Sequence, residues 1–129
     1  RAVGYFSSSA IEAFGAPLLV GRSAHDAKEL ELAVDHDWVF LSPLFPTSSK
    51  PGVSALGPSR FAQLAARSPA PVLALGGITR ENVATAFASG AAGIAAISAL
   101  LAKDGAEFVR EVRALAARSS PSPPLPEST

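Results

Sequence analysis

Cysteine is absent from the 129 residues, so the chain has no disulfide framework and no thiolate metal site. Methionine is absent too, and the first residue is Arg1 rather than an initiator. The chain is therefore expected to be either processed at its start or a piece of something longer. Charge is scarce and balanced: 17% of residues are charged, eleven of them basic and eleven acidic. That removes any electrostatic case for nucleic acid or an acidic membrane surface as partner. Carboxylates are not clustered, so no all-protein metal site is expected. Long hydrophobic runs are lacking as well. The stretch from Gly90 to Ala102 is too short and too rich in Gly and Ala for a membrane span. No signal peptide is legible, which makes the cytoplasm the default location. What is present is an apolar fraction of 48%, suited to one globular domain with a real core.

Apolar runs alternate with helical patterns along the chain. Residues Arg1 to Gly15 are the least readable. A serine among Ser7, Ser8 and Ser9 is read as capping a short helix over Ala10 to Phe14 that Gly15 ends. Strands are expected at Leu18–Val20, Trp38–Leu41, Val72–Leu75 and Gly93–Ile97, each a continuous run of the kind buried on both faces. Between and after them, helices are expected over 26–34, 59–67, 80–88 and from about Asp104 to Ala117. Ser23 with Asp26 resembles a capping pair, as does Asp104 with Glu107. Pro58 suits a first helical turn, Thr79 a cap, and Gly90 a helix end. From Arg118 to Thr129 the composition turns to Ser and Pro, read as a disordered tail. The sum is an α/β chain of four strand–helix units over residues 1–117. It fits a small open parallel sheet or half of a (β/α)₈ barrel, which needs roughly 250 residues. Four unclosed parallel strands leave two edges and an uncovered interior, which motivates self-association into a homo-oligomer as a hypothesis.

The stretch FLSPLFPTSSKPGVSAL, from Phe40 to Leu56, carries the chemistry. A strand runs into a loop broken at Pro43 and Pro46 that holds Thr47, Ser48, Ser49 and Lys50. Hydroxyls donate hydrogen bonds and an ammonium adds a compact charge, a set that grips phosphate. The plain alternative is a solvated connection. Gly76 and Gly77 follow the next strand, where glycine lets a phosphate approach backbone N–H groups at a helix N-terminus. The plain alternative there is a tight turn. Ile97 and Ser98 follow the last strand and offer one more N–H and a hydroxyl, or simply a helix cap. Loops after the last two strands of a (β/α)₈ barrel commonly build a phosphate site. Ser23 and His25 also lie at a strand's carboxyl end. His25 reads equally as a general base or as a solvated loop residue, imidazole being the side chain that changes charge nearest neutral pH. His36 is read as surface, with Asp37 orienting the entrance of the strand it precedes.

Four segments, GRSAH, DWVFLSPLFPTSSKPG, PVLALGGIT and GAAGIAAISAL, stand in this order. Together they resemble the thiamine-phosphate synthase / TenI family over about residues 17 to 117. The resemblance implies a (β/α)₈ TIM barrel of which this chain holds about strands five to eight. It implies a transferase that couples an aminopyrimidine, carried as its diphosphate, to a thiazole phosphate, giving thiamine phosphate and pyrophosphate. Thr47, Ser48 and Ser49 then lie where the thiazole phosphate is held. Lys50 lies where a lysine contacts the diphosphate, and Ser23 where a serine touches the pyrimidine. Gly76 or Gly77, with Ile97 and Ser98, completes the phosphate cradle. The cofactor implied is Mg²⁺, with ligands in segments that have no counterpart here, as the pyrimidine-binding Gln and Lys also have none. The chain alone is accordingly not expected to make thiamine phosphate. The TenI branch, which isomerises a carboxythiazole phosphate, would use His25 as the base. The intact Pro46-Thr47-x-Ser49-Lys50 loop looks more like the synthase, although Trp38 stands where the family usually has Tyr and Ser49 where it has Thr. A non-catalytic phosphate-binding module is the alternative outside enzymes.

Overall fold

Every neighbouring pair of strands runs parallel, and the strands lie in the sheet in the order they occur in the chain. The computed structural model describes residues 2–5 and 18–119. Its elements are β1 (Ala2–Tyr5), β2 (Leu18–Ala24), α1 (Ala27–Glu31), β3 (Trp38–Leu41), α2 (Gly57–Arg67), β4 (Val72–Leu75), α3 (Val83–Ala88), β5 (Gly93–Ala95), α4 (Ser98–Leu101) and α5 (Gly105–Ser119). A strictly sequential parallel order has no point at which the winding reverses. Right-handed crossovers then put successive helices on one side of the sheet, which is an arc of a (β/α)₈ barrel rather than a doubly wound sheet.

The expected parallel α/β architecture is present with one strand more than the sequence pattern signalled. β1 pairs with β2, Ala2 opposite Leu18 through Tyr5 opposite Gly21. The helix expected over Ala10 to Phe14 lies outside the described residues, as does the Ser/Pro-rich segment beyond Ser119.

Burial alternates along the strands and separates two faces. In β3, Val39 and Leu41 are fully buried while Trp38 and Phe40 are half-buried; in β4, Val72 and Ala74 are buried while Leu73 and Leu75 are not. The buried set meets the helices. Leu30 of α1, Phe61 and Leu64 of α2, Val83 and Phe87 of α3 and Phe108 of α5 join it in one cluster. The half-buried set faces what would be the barrel interior, where Trp38 and Phe40 meet edge to face with centroids 6.3 Å apart. Glycine makes room on that face. A Cβ on Gly21 would overlap the Trp38 indole, and one on Gly93 would come 2.7 Å from Leu73 Cδ2.

Helix boundaries shift for identifiable reasons. Asp26 caps α1 through its side chain, accepting from Glu29 N–H, whereas Ser23 stays in β2. α3 begins at Val83 and not at Arg80, because the Asn82 side chain braces the preceding turn: its Oδ1 accepts from Thr79 N–H at 2.8 Å and its Nδ2 donates to Gly77 O at 2.8 Å. Thr79 is thus held by a cap-like side chain and is not itself the cap. Asp104 and Glu107 do not exchange a capping box. Both converge on Arg80, each at 3.0 Å, and Glu111 joins them at 3.3 Å. This exposed cluster ties α5 to the segment that follows β4. Asp37 does clamp the entrance of β3, accepting from Val20 N–H at 2.6 Å. His36, expected at the surface, is half-buried, and its Nδ1 is buried without a hydrogen-bond partner among the described residues.

Phe61 is wholly buried between sheet and helices, so Phe61→Ala should cost about 3–5 kcal/mol, read as a lower urea midpoint at unchanged slope. The Arg80 cluster predicts a pH effect. Hydrogen bonding to the Arg80 guanidinium holds the Asp104 carboxyl below its ordinary value. A lowered carboxyl stabilises the fold above its unfolded value, and that share is lost as pH falls through the folded one. Arg80→Ala should therefore lower stability near neutrality and flatten the fall of the profile below about pH 4, so that the two proteins converge in acid. Added salt should shrink the difference, because the pairs are exposed. An identical acid limb in both proteins would remove the cluster from the account.

Candidate active site at the carboxyl ends of the strands

The segment after β3 folds back over the end of β4. Leu44 N–H donates to Leu75 O at 2.9 Å and Phe45 N–H to Gly76 O at 3.1 Å. Its return leg is fastened by Leu56 N–H to Pro43 O at 2.8 Å and Gly57 N–H to Leu44 O at 3.0 Å. The loop is thus pinned at both ends, with Thr47 to Lys50 at its free crest. The Ser42–Pro43 peptide bond at its start is cis.

The two glycines are explained by this crossing. Gly76 and Gly77 have φ of 101° and 65°, which favours glycine. A Cβ on Gly76 would lie 2.7 Å from Pro43 Cβ, and one on Gly77 would overlap Pro46 O and come 2.9 Å from Phe45 Cβ. They do not sit at a helix N-terminus, since α3 begins only at Val83. The expectation that they open a helix toward a phosphate is corrected accordingly. Their absent side chains admit the β3 loop, and their backbone forms part of the cleft wall beneath it.

Together these loops enclose a cleft of about 390 Å³. Thr47, Ser48, Ser49, Lys50, Gly76, Gly77, Ile97 and Ser98 all line it, joined by Ser42 and Thr79, and no carboxylate among the described residues does. Thr47 Oγ1 accepts from Ser49 N–H at 3.3 Å, which leaves its own proton to donate. Among the described residues, the hydroxyls of Thr47, Ser48, Ser49 and Ser98 have no protein acceptor. The cleft therefore presents hydroxyl donors and one ammonium, a set complementary to an anion and not to a cation. Mg²⁺ needs oxygen ligands that include carboxylate. The donors here do not fit it, and among the described residues no group of three or more His, Cys, Asp or Glu is placed to hold a metal.

Ser23 and His25 stand outside this lining. Ser23 is half-buried on β2, opposite Phe40 of β3. His25 lies just past β2, and Lys50 links it to the cleft, with Nζ 3.4 Å from His25 Nε2. Glu29 closes the other side of the ring. Its Oε2 accepts from His25 N–H at 2.7 Å and lies 2.8 Å from Nδ1. Glu29 was not among the residues that the sequence marked. The signal that singles it out is its position four residues after His25, a spacing that brings two side chains to one helix face. Asn82 was likewise unmarked, and its signal is the spacing of three from Thr79 that suits a side-chain brace.

The fold and this rim define a cleft at the carboxyl ends of a (β/α)₈-type arc, lined among the described residues by hydroxyls, Lys50 and backbone and by no carboxylate. A family model described as thiamine monophosphate synthase matches residues 7–100, and the chain belongs to that family. It is 38% identical over 79 residues to the thiamine-phosphate synthase of Thermosynechococcus vestitus, covering 60% of this chain and 22% of that protein. It is 42% identical over 78 residues to the thiamine-phosphate synthase of Methanoregula boonei, covering 58% and 36%. The chain thus spans well under half the length of either relative. In fold it is similar to a thiamine phosphate pyrophosphorylase from Pyrococcus furiosus, with a TM-score of 0.75 at 22% identity over 92% of this chain and 60% of that one. No helix among the described residues is long and apolar enough to cross a membrane.

The glycines supply a test of the crossing. Gly52 shares the positive φ, at 77°, but a Cβ there would meet nothing within 4 Å. Gly52→Ala should therefore cost about 1 kcal/mol, the conformational share alone. Gly77→Ala adds steric overlap with the β3 loop and should cost about 3 kcal/mol or more. Equal losses on urea unfolding would contradict the close approach.

Proposed function

We propose that this chain supplies the phosphate-holding side of a thiamine-phosphate synthase active site, acting on small phosphorylated substrates. The observation that carries the reading is a cleft lined, among the described residues, by hydroxyls without protein acceptors together with Lys50 and by no carboxylate. In the coupling reaction the bond between the pyrimidine methylene and its diphosphate breaks. A bond from that carbon to the thiazole nitrogen forms, and pyrophosphate leaves. Thr47, Ser48, Ser49 and Ser98 hold the thiazole phosphate by donated hydrogen bonds, which fixes its nitrogen in one place and lowers the entropic part of the barrier. Lys50 neutralises charge growing on the departing diphosphate. Ser23, one strand away, is assigned to the pyrimidine side. The family's Mg²⁺ has no fitting donors in this cleft, so none of these roles passes through it.

A second reading has a specific observation in its favour. The contact of Glu29 with His25 equips the histidine as a base, which suits proton movement of the tautomerase type. Both readings place the same phosphate in the same cleft.

Calorimetric titration of the 129-residue protein with thiamine phosphate tests the shared part. Saturable binding is expected, with Lys50→Ala weakening it about tenfold or more, since a charge-assisted hydrogen bond contributes about 1.5–3 kcal/mol. Absence of binding to the folded protein, or equal binding by the variant, would overturn the assignment of this cleft.

A further inference from the structure

His25 is gripped from both sides by groups that fix which of its nitrogens carries the proton. Glu29 is a carboxylate and only accepts hydrogen bonds. Its Oε2 stands 2.8 Å from Nδ1 while taking the His25 backbone N–H at 2.7 Å. That arrangement is satisfied when Nδ1 bears a hydrogen. Lys50 is an ammonium and only donates. Its Nζ stands 3.4 Å from Nε2, an arrangement satisfied when Nε2 offers a lone pair. An Nε2–H would instead meet the lysine donors head-on. The two neighbours come from different elements, Glu29 from α1 and Lys50 from the crest of the β3 loop. Both favour the same tautomer, and the Glu29 contact, 2.8 Å against 3.4 Å for Lys50, is the one that sets it.

We propose that Glu29 is a positioning residue that sets His25 in its Nδ1–H tautomer, presenting the Nε2 lone pair to Lys50 and the rim of the cleft. One oxygen holds both the ring and the backbone of His25, so Glu29 stays anchored beside the ring and a swing of the imidazole forfeits the Nδ1 contact. Nε2 in this form accepts a hydrogen bond from Lys50, and it can take one proton from a ligand N–H or O–H at the rim. The ring then stands as an imidazolium beside the Glu29 carboxylate. The ligand class is the phosphorylated one of the preceding section, and that element alone rests on the reading given there. The tautomer rests on geometry alone.

Long-range proton–nitrogen NMR of the nitrogen-15-labelled 129-residue protein, at a mildly alkaline pH and without ligand, reads both imidazole nitrogens directly. The chain has two histidines, and His25→Asn assigns the ring by the loss of its signals. The expected spectrum has Nδ1 protonated and Nε2 bare. Glu29→Gln keeps a carbonyl acceptor and should keep this form. Glu29→Ala should reverse the majority form to Nε2–H, which free histidine side chains favour. An Nε2–H ring in the unsubstituted protein, or an unchanged Nδ1–H ring in Glu29→Ala, overturns the proposal. Should Glu29→Ala fail to fold, the unsubstituted spectrum decides by itself. Thiamine phosphate is absent from the sample, so a failed titration leaves this result standing, and the reverse holds too.

Discussion

The site depends on one close approach of backbone to backbone. Where the β3 loop crosses the end of β4, Leu44 and Phe45 donate to the carbonyls of Leu75 and Gly76. They reach those carbonyls only because residues 76 and 77 have no Cβ. A side chain at either position would lift the loop off the sheet and carry Thr47 to Lys50 away from Ile97 and Ser98. The crossing thus converts a sequence-local cluster of hydroxyls into one wall of a cleft whose other walls come from β4 and β5. It also delivers Lys50 to His25, twenty-five residues earlier in the chain.

The same economy of side chains governs the interior face of the sheet. Gly21 lies under the Trp38 ring and Gly93 under Leu73, so large residues of one strand lie over small ones of its neighbour. This is how parallel strands fill the inside of a barrel in layers. Here the layer is half-buried, because the arc of five strands does not close. The helix-facing side is finished by contrast, with Val39, Leu41, Phe61 and Phe108 out of contact with water. The two faces differ because helices contributed by the chain itself cover one, whereas only further strands can cover the other.

Much of this was legible in the residues, for a physical reason. Val72–Leu75 and Trp38–Leu41 are uninterrupted apolar runs bounded by Pro or Asp, and each forms a strand over those very residues. The hydroxyl-and-lysine loop and the two later loops announce themselves as donors at strand ends, and the fold brings all three to one cleft. What was missed turns on pairing across the chain. Ala2–Tyr5 is too short and too mixed to declare itself a strand, and is one because β2 offers it a ladder. Asp104 and Glu107 have the spacing of a capping box, but Arg80 offers a charged partner to both. The Gly-Gly pair reads alone as a tight turn or as a phosphate turn. Its tight fit against Pro43 and Pro46 is invisible until the loop is folded over it.

Lys50 is where the two halves of the chemistry meet. Its ammonium is counted once in the cleft, among hydroxyls that have only protons to give, and once at His25, where it is the donor to a ring nitrogen. A phosphate drawn into the cleft competes for the same ammonium. Charge favours the phosphate, since an ion pair reinforced by hydrogen bonds exceeds a long bond of 3.4 Å to a neutral imidazole. On the proposed reading, the ligand that engages Lys50 therefore uncovers the Nε2 lone pair that Glu29 holds in place. The base becomes free at the rim when a phosphate is bound, and stays occupied when the cleft is empty.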